Sequence, residues 1–488
     1  MDIMLIDPPF TSLKGVSTDC GYHMGLVCLA AFLESEGIDS SVLMGDLIPD
    51  TPSKNVWNII SYKTWAKGHE QYASIVNDKH HVVWKRIADF VLKNDPLVVG
   101  ISYLTPERHT VERVAELVKE IDNNIKIVVG SSHPTCCPQE VMQNPNIDFV
   151  ISGEGEIPLL HLVRETKKAN PKWETVPGLH YRDNNGNIMQ THPAGLISDL
   201  DKLPYPARHL VLNCDYSRYR DHAIATARGC PYACSFCADK KLWGGKVRRR
   251  TVDNVIEELV FLKQTYKINQ VDFIDGTFTF DKNYLQTFCN KLISSGLNIN
   301  WRCTARYDNL DEHLLRLMKK ANCSGLYFGL EFGSNRILTS TNKKLTVEDN
   351  IKISKIVHES GISSCASVLL GLPSETKEDL EATLKLMKDI KVDSFDVNSY
   401  VPLPGSILFD SMGEEEKRNI DWRKVSMKSY GNHFIKSMSH EEFNSYLNQA
   451  YDIADRLHKK TFFRMAVRMP FQYISRKINQ CRHIDLYQ

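Results

Sequence analysis

Short apolar runs alternate with amphipathic helical stretches through the first third of the chain, to about Leu162. The predicted strands are 3–6, 40–44, 97–102, 125–129 and 149–152, and the predicted helices are 25–35, 82–92 and 107–121. Strands that are apolar on both sides are typical of a parallel sheet covered by helices on both faces. The pattern therefore predicts a doubly wound, Rossmann-like α/β domain, a fold that binds ligands at the carboxyl ends of its strands.

The same alternation returns in the middle of the chain. Six predicted strands cover 223–227, 270–274, 298–304, 325–330, 364–370 and 394–401, with helices predicted at 252–266, 282–294, 311–321, 347–359 and 377–390. Six strand–helix units are compatible with a partial or open barrel, whose reactive face again lies at the carboxyl ends of the strands.

A polar, turn-rich segment separates the two patterns. Residues 183–186 predict a hairpin turn between 178–181 and 187–190, and 199–208 form a proline-marked connector. We therefore expect a first domain at 1–165, a linker with a hairpin at 166–215, a second domain at 216–405 and a helical C-terminal region at 406–488.

Composition is that of an ordinary globular protein with several domains. The 488 residues are 42% hydrophobic and carry a net charge of +1, which gives no electrostatic argument for nucleic-acid binding. No apolar run approaches the roughly 20 residues that span a bilayer, and the N-terminus does not resemble a signal peptide. The thirteen cysteines are mostly scattered, as expected of free thiols in a reducing compartment. We expect a cytoplasmic protein.

Three cysteines lie close together in the run 228–239. Cys230, Cys234 and Cys237 have the spacing Cys-x3-Cys-x2-Cys. Three thiolates on one tight loop suit a cubane iron–sulfur cluster and leave its fourth iron without a protein ligand. A zinc site and a set of merely buried thiols remain alternatives at this point.

The context of the cysteines resembles that of the radical S-adenosylmethionine (SAM) superfamily. A β-prone stretch precedes them, and the aromatic Phe236 stands just before the last cysteine. The resemblance implies a [4Fe–4S] cluster whose open iron binds the amino and carboxylate groups of SAM. It also implies reductive cleavage of SAM to a 5′-deoxyadenosyl radical, and hence an anaerobic or protected setting.

The loops after the predicted strands of the first domain extend the resemblance across most of the chain. Together with the cysteine loop they are similar to the cobalamin-binding radical SAM family. That family implies a third cofactor, cobalamin, and a six-stranded partial barrel. The residues expected to contact cobalamin are Pro8, Gly25, Leu26, Tyr103, Thr105, Gly130, Ser131, His133, Gly153, Glu154 and Gly155.

One departure concerns the cobalt ligand. Better-known cobalamin domains carry an Asp-x-His-x-x-Gly motif, but His23 lies two residues before Gly25 without the upstream spacing of that motif. Members of the resembled family commonly lack it as well. His133 is an alternative axial ligand, beside the simpler role of a hydrogen-bonding loop histidine.

The resemblance also assigns SAM contacts at the strand ends of the second domain. The residues are Phe236, Asp275, Arg306, Glu331, Gly371 and Pro402. Asp275 is expected at the SAM amino group or at a helix N-cap. Glu331 is expected at the ribose hydroxyls and Arg306 at the carboxylate, unless these two residues pair with each other. Gly371 and Pro402 are expected to shape the adenine pocket.

Two basic segments suggest partners. We expect Arg248–Arg250 to form a solvated face, with docking of an electron donor such as flavodoxin or ferredoxin as an alternative. Residues 441–478 predict a basic amphipathic helix, which would cap the barrel mouth or, less favoured, lie on a membrane.

These features predict a radical SAM enzyme that methylates an unactivated carbon of a natural-product or lipid-type substrate, with cobalamin as the methyl donor. A radical cyclase or rearrangement enzyme of the same family is an alternative. A non-enzymatic iron–sulfur scaffold is an alternative from a different class.

Overall fold

The chain builds two parallel sheets one after the other. The computed structural model of the protein describes residues 1–15, 23–48, 61–218 and 221–468. The first sheet contains β1 Ile3–Asp7, β2 Ser40–Met44, β3 Val98–Ser102, β4 Lys126–Gly130, β5 Phe149–Ile151, β6 Leu179–Arg182 and β7 Ile188–Gln190. Its strand order is β2-β1-β3-β4-β5-β6-β7, and the strands from β1 to β5 are all parallel.

Helices cover both faces of this sheet. They are α1 Met24–Ser35, α2 Tyr62–Asn77, α3 Val82–Asn94, α4 Arg108–Ile121, α5 Ser132–Cys136, α6 Pro138–Val141 and α7 Glu156–Thr166. Ile3 and Leu5 of β1 share a core with α1 and α7, whereas Met4 and Ile6 share a core with α2, α3 and α4. The doubly wound prediction is confirmed, although helix α2 was not predicted from the sequence.

The hairpin β6–β7 extends the first sheet by two antiparallel strands. Its turn forms because the carboxylate of Asp183 accepts the backbone N–H groups of Asn185 and Asn187, and because Gly186 adopts a left-handed φ of 82°. The predicted hairpin is thus confirmed.

The second sheet has six parallel strands. They are β8 Asp221–Ile224, β11 Gln270–Phe273, β12 Asn300–Ala305, β13 Cys323–Glu331, β14 Ser363–Leu370 and β15 Ser394–Ser399, and a separate two-stranded ribbon joins β9 Ala227–Arg228 to β10 Arg248–Arg249. The six strands lie side by side in chain order. In the described part of the chain, β8 and β15 are not paired with each other, which confirms an open, partial barrel.

The two faces of the second sheet differ in polarity. One face carries side chains such as Phe273, Trp301 and Phe328, which are fully buried. It packs against the helices α9 Val252–Tyr266, α10 Lys282–Ser295, α11 Glu312–Lys320, α13 Val347–Glu359 and α14 Lys377–Asp389. Two shorter helices, α8 Asp239–Trp243 and α12 Asn335–Ser340, also lie in this part of the chain. The opposite face alternates with it along each strand and carries polar groups, among them Asp272 and Arg302, that remain accessible. We call this opposite face the polar face.

The C-terminal region is helical, as predicted. It contains α15 Ile407–Asp410, α16 Glu414–Arg418 and α17 His440–Arg468. Buried side chains of α17, including Phe443, Leu447 and Tyr451, join the core of the second domain. The predicted continuation beyond residue 468 lies outside the described residues. No helix in the described part of the chain combines the length and apolarity needed to cross a membrane.

Candidate active site

The cysteine loop follows the ribbon strand β9 at the carboxyl edge of the second sheet. Cys237 donates its backbone N–H to the carbonyl of Cys234, and the sulfur of Cys230 lies 3.7 Å from the hydroxyl of Thr277. Gly276 makes this approach feasible, because a Cβ there would stand 3.3 Å from the Cβ of Cys230. The three cysteines carry no disulfide.

The charged side chains around the loop fit an anionic iron–sulfur cluster. In the described residues, no three His, Cys, Asp or Glu side chains are arranged around one metal ion. In a cubane each thiolate binds a different iron, so the three cysteines need not converge on one ion. The positive charges of Lys343 and Arg306 lie near Cys234, where they oppose the rise in its pKa that burial causes. Cations beside the loop also favour an anionic cluster with thiolate ligands.

Asp275 braces the start of the cysteine loop. It is only 3% exposed, and its Oδ1 accepts the backbone N–H groups of Thr226 at 2.6 Å and Ala227 at 3.0 Å. The hydroxyl of Thr226 donates to the other carboxylate oxygen. Burial raises the pKa of Asp275, and these donors oppose the rise. The helix N-cap alternative is wrong, because α10 is capped by Asp281.

Glu331 and Arg306 each have a different partner. Glu331 ends β13 and accepts a hydrogen bond from Nζ of Lys343 at 3.0 Å. The Arg306 guanidinium forms a fork with Asp308, at 3.1 and 3.0 Å, and donates to the carbonyl of Lys343 at 2.8 Å. The guanidinium also lies 3.8 Å from the ring centre of Tyr232. The alternative in which Glu331 and Arg306 pair with each other is therefore wrong.

Lys343 and Tyr232 were missed in the sequence analysis. Lys343 lies in the turn after α12 rather than at a strand end, so no periodic signal marks it. Tyr232 stands between the first two cysteines, and that position was the only available hint. Both residues bring charge or an aromatic face to the cluster loop.

The remaining expected SAM residues gather around one apolar cluster. Phe236 meets the ring of Phe332 edge to face, with centroids 5.9 Å apart. Phe332 is buried together with Leu372 and Tyr400. Leu372 follows Gly371 in the chain, and Tyr400 lies two residues before Pro402, which is also buried. Gly371 has a left-handed φ of 94° and faces Phe443, whose ring a Cβ would meet at 2.6 Å. The structure thus brings Phe236, Gly371 and the chain before Pro402 together.

The expected cobalamin residues line the carboxyl edge of the first sheet. Pro8 follows β1 and is buried, and Tyr103 and Thr105 follow β3. Gly130 is the last residue of β4, and Ser131 follows it. Ser131 has φ 93° and ψ −160°, a conformation that is essentially reserved for glycine and that clusters at ligand sites. Gly153, after β5, has open space where a Cβ would stand. Gly25 and the buried Leu26 begin α1 nearby.

The two histidines of this edge are held by hydroxyl groups. The His133 ring is 1% exposed, stacks on Tyr103 at 4.7 Å and has Nδ1 3.1 Å from the Thr105 hydroxyl. Its buried Nε2 has no hydrogen-bond partner in the described residues. His23 places Nε2 3.0 Å from the hydroxyl of Ser102. An unpartnered buried nitrogen and an open glycine loop fit a bulky polar ligand at this edge.

A group of buried carboxylates lies beneath the same edge and was also missed. Burial raises the pKa of Asp7 to about 8, and the neighbouring charge of Asp46 adds to the rise. Burial and Asp7 likewise raise the pKa of Glu107. Burial lowers the pKa of Lys14 to about 7. These groups lie near β1 and β3, where the strand order reverses and doubly wound folds place their ligands.

Glu154 and the arginine run meet across the two domains. Glu154 forms ion pairs with Arg228 and Arg248. Arg249 packs on Phe280 and Tyr284, 4.1 and 4.2 Å from their ring centres, and Arg250 pairs with Glu258. The expectation that Arg248–Arg250 form a solvated face is wrong, because each guanidinium is engaged inside the protein.

Comparisons with known proteins agree with this geometry. Residues 12–163 match the family profile described as B12 binding domain, and residues 224–387 match the one described as Radical SAM superfamily. An uncharacterized methyltransferase of Pyrococcus horikoshii is 30% identical over 401 residues, covering 78% of this chain and 85% of the relative.

An anaerobic magnesium-protoporphyrin IX monomethyl ester cyclase of Rubrivivax gelatinosus is 30% identical over 332 residues, which are 66% of this chain and 59% of the relative. Among solved structures, the radical SAM methyltransferase TsrM from Kitasatospora setae has a TM-score of 0.61 at 16% identity, covering 83% of this chain and 74% of that chain. The chain belongs to the cobalamin-binding radical SAM family, whose cofactors are a [4Fe–4S] cluster, SAM and cobalamin.

Proposed function

We propose that the enzyme methylates an unactivated carbon of a polar, natural-product-type small molecule. The observation that carries the proposal is the hydrogen-bonded contact between Glu154, in the loop after β5, and Arg228, two residues before Cys230. This contact holds the carboxyl edges of the two sheets side by side. When bound there, SAM and the cluster supply a 5′-deoxyadenosyl radical and cobalamin supplies the methyl group.

The strand-end residues of the second domain would hold SAM. We assign the carboxylate of SAM to the cationic groups of Lys343 and Arg306, which lie beside Cys234. Glu331 would accept hydrogen bonds from the ribose hydroxyls, and the loop at Gly371 would line the adenine. In these roles the protein binds and orients SAM and excludes water.

The polar face bears on the class of substrate. Three ion pairs involve residues of its strands: Glu331–Lys343 at 3.0 Å, Asp396–Lys428 at 2.8 Å and Asp272–Arg302 at 2.5 Å. Tyr327 is 37% exposed on the same face and donates to Asp396 at 2.7 Å. An apolar chain laid on these groups would desolvate them without offering hydrogen bonds. The lining therefore favours a polar substrate over a lipid.

An acidic electron donor such as flavodoxin or ferredoxin is the partner that we propose for the reduction of the cluster. Cys237 is exposed, and the exposed side chains of Lys240 and Lys241 follow it in α8. A positive surface beside an exposed cluster ligand favours association with an acidic protein, and this association weakens as salt rises.

Isotope labelling tests the methylation. The anaerobically reconstituted enzyme, with cobalamin, a reductant and SAM carrying a deuterated methyl group, is incubated with an extract of small polar metabolites. We expect S-adenosylhomocysteine, 5′-deoxyadenosine and a product three mass units heavier than its unlabelled counterpart. A Cys234→Ala variant is the control and should give neither 5′-deoxyadenosine nor the labelled product.

A radical cyclase is the second candidate, because the cyclase of Rubrivivax gelatinosus is as similar in sequence as the methyltransferase of Pyrococcus horikoshii. The methyltransferase is matched over more of its length, 85% against 59%, which favours methylation. In the same assay, 5′-deoxyadenosine without S-adenosylhomocysteine or a labelled product would exclude methylation and leave the cyclase.

A further inference from the structure

Four charged side chains form a buried network between the two domains. Glu154 and Glu156 come from the first domain, and Arg228 and Arg248 from the ribbon β9–β10. We call these four residues the clamp. One Arg228 nitrogen pairs with Glu154 and the other with Glu156, while Arg248 lies 2.7 Å from the second oxygen of Glu154. The two carboxylate side chains are only 3% and 4% exposed.

The linker between the domains joins the same network. The backbone N–H of Ile197 donates to Glu154 at 2.6 Å, and Arg248 donates to the carbonyl of Ile197 at 2.5 Å. Three separate segments of the chain therefore converge on the Glu154 carboxylate. Their convergence fixes its position more tightly than one ion pair would.

On its second-domain side, the clamp ends directly at the cysteine loop. Arg228 is paired with Arg248 across the ribbon and is followed by Gly229 and Cys230. Gly229 has a φ of 95°, and a Cβ at this position would lie 2.2 Å from the carbonyl oxygen of Lys246. The chain between Arg228 and Cys230 thus has little freedom to move independently of the clamp.

On its first-domain side, the clamp ends at the ligand edge. Glu154 lies between Gly153, which has open space around it, and Gly155, and Glu156 begins α7. The side chains of Glu154 and Glu156 point away from solvent and are both bound to Arg228. Only the backbone of this glycine loop is left to meet a ligand.

We propose that the clamp sets the position of the cysteine loop relative to the ligand edge of the first domain, and that Glu154 is a positioning residue rather than a cobalamin contact. The planar fork of Arg228 reaches both glutamates at once and therefore fixes orientation as well as distance. Removing one member of the clamp leaves a buried charge without its partner, which destabilises the protein far more than the loss of a surface ion pair.

Hydrogen exchange of the full chain tests the proposal without an activity assay. In Glu154→Gln and in Arg228→Gln, the amides of 228–238 should exchange about tenfold faster or more, since local opening becomes easier. In the double variant these amides should exchange little faster than in either single variant, because both changes break the same contact. The milder Arg248→Lys serves if either variant fails to fold.

Asp379→Asn is the matched control. Asp379 is a buried carboxylate, 7% exposed, that holds Arg336 within the second domain and does not reach the clamp. Unchanged exchange of 228–238 in the clamp variants, or an equal acceleration in Asp379→Asn, would overturn the proposal.

Spectrophotometric titration with cobalamin separates the two roles of Glu154. The clamp predicts the same change in cobalamin affinity for Glu154→Gln and Arg228→Gln. Weaker binding in Glu154→Gln alone would make Glu154 a cobalamin contact and refute its positioning role. Neither readout depends on whether the enzyme methylates its substrate.

Discussion

Lys343 places its Nζ 3.0 Å from Oε1 of Glu331, and the two side chains are only 6% and 12% exposed. The contact depends on backbone geometry at the end of β13. Glu331 has a left-handed φ of 65°, and its carboxylate folds back over Gly329, where a Cβ would stand 2.4 Å from Oε1. A glycine at that position therefore allows the ion pair to form.

Lys343→Met should weaken SAM binding and destabilise the protein. Loss of the ammonium leaves Glu331 as a largely buried, unpaired carboxylate, at a cost of about 3 kcal/mol. The electron paramagnetic resonance spectrum of the reduced cluster, recorded with increasing SAM, measures the first effect, and the thermal midpoint measures the second. Lys344→Met is the control, since Lys344 is the exposed neighbour in the chain. Equal effects of both changes would contradict a role for the pair.

Asp275→Ala should lower the cluster content of the purified protein. The change removes the acceptor of two backbone N–H groups and one hydroxyl at the strand that leads to Cys230, and leaves those donors buried. Iron and sulfide per chain after anaerobic reconstitution are the measurement. Asp272→Asn is the control. It alters a partly exposed carboxylate in β11, three residues before Asp275, and should leave the iron and sulfide content unchanged. An Asp275→Ala protein with the wild-type content of iron and sulfide would show that the cluster does not need the hydrogen bonds of Asp275.

Periodicity was sufficient to predict both sheets. The strands of the first sheet are apolar on both sides because α1 and α7 cover one face and α2 to α4 the other, so each strand is visible as a continuous run. Helix α2 was not predicted because its buried face includes a histidine, His69, and because Gly68 inside it is a poor helix former. The cluster site was predicted from the spacing of the three cysteines together with Phe236 and the β-prone stretch before them.

The partners of the site residues were not predictable. Arg306, Glu331 and Lys343 converge only after β12, β13 and the turn beyond α12 come together, and no local pattern encodes that distance. The arginines 248–250 illustrate the opposite error. A dense basic run is usually a solvated surface. Here the following helix α9 supplies Glu258, and distant segments supply Glu154 and the rings of Phe280 and Tyr284.

Ser131→Gly should stabilise the protein. Ser131 occupies φ 93° and ψ −160°, where a non-glycine residue is strained by about 1–3 kcal/mol. Glycine relieves the strain but costs about 0.5–1 kcal/mol of chain entropy, so a net gain of about 1 kcal/mol is expected. The thermal midpoint should rise, whereas Ser131→Val should lower it. A lower midpoint for the glycine variant would show that the serine side chain contributes more than its strain costs.

Glu375→Gln should remove a pH dependence of stability. Glu375 is 1% exposed and accepts the N–H groups of Gly371 and Leu372 at 2.6 and 2.8 Å. Burial raises its pKa from 4.5 to about 8, although these two donors oppose the rise. Between those values the folded protein holds a proton that the unfolded chain has released, so the stability contributed by this group falls as pH rises, by about 1.4 kcal/mol per pH unit.

Thermal midpoints from pH 6 to pH 8 measure the effect of Glu375. The wild-type midpoint should decline with pH more steeply than that of Glu375→Gln, because the glutamine has no proton to lose. Glu378→Gln, three residues along on the exposed side of α14, should keep the wild-type slope. Parallel slopes for wild type and Glu375→Gln would mean that the carboxyl is already ionised in the folded state, with its two backbone donors outweighing the cost of burial.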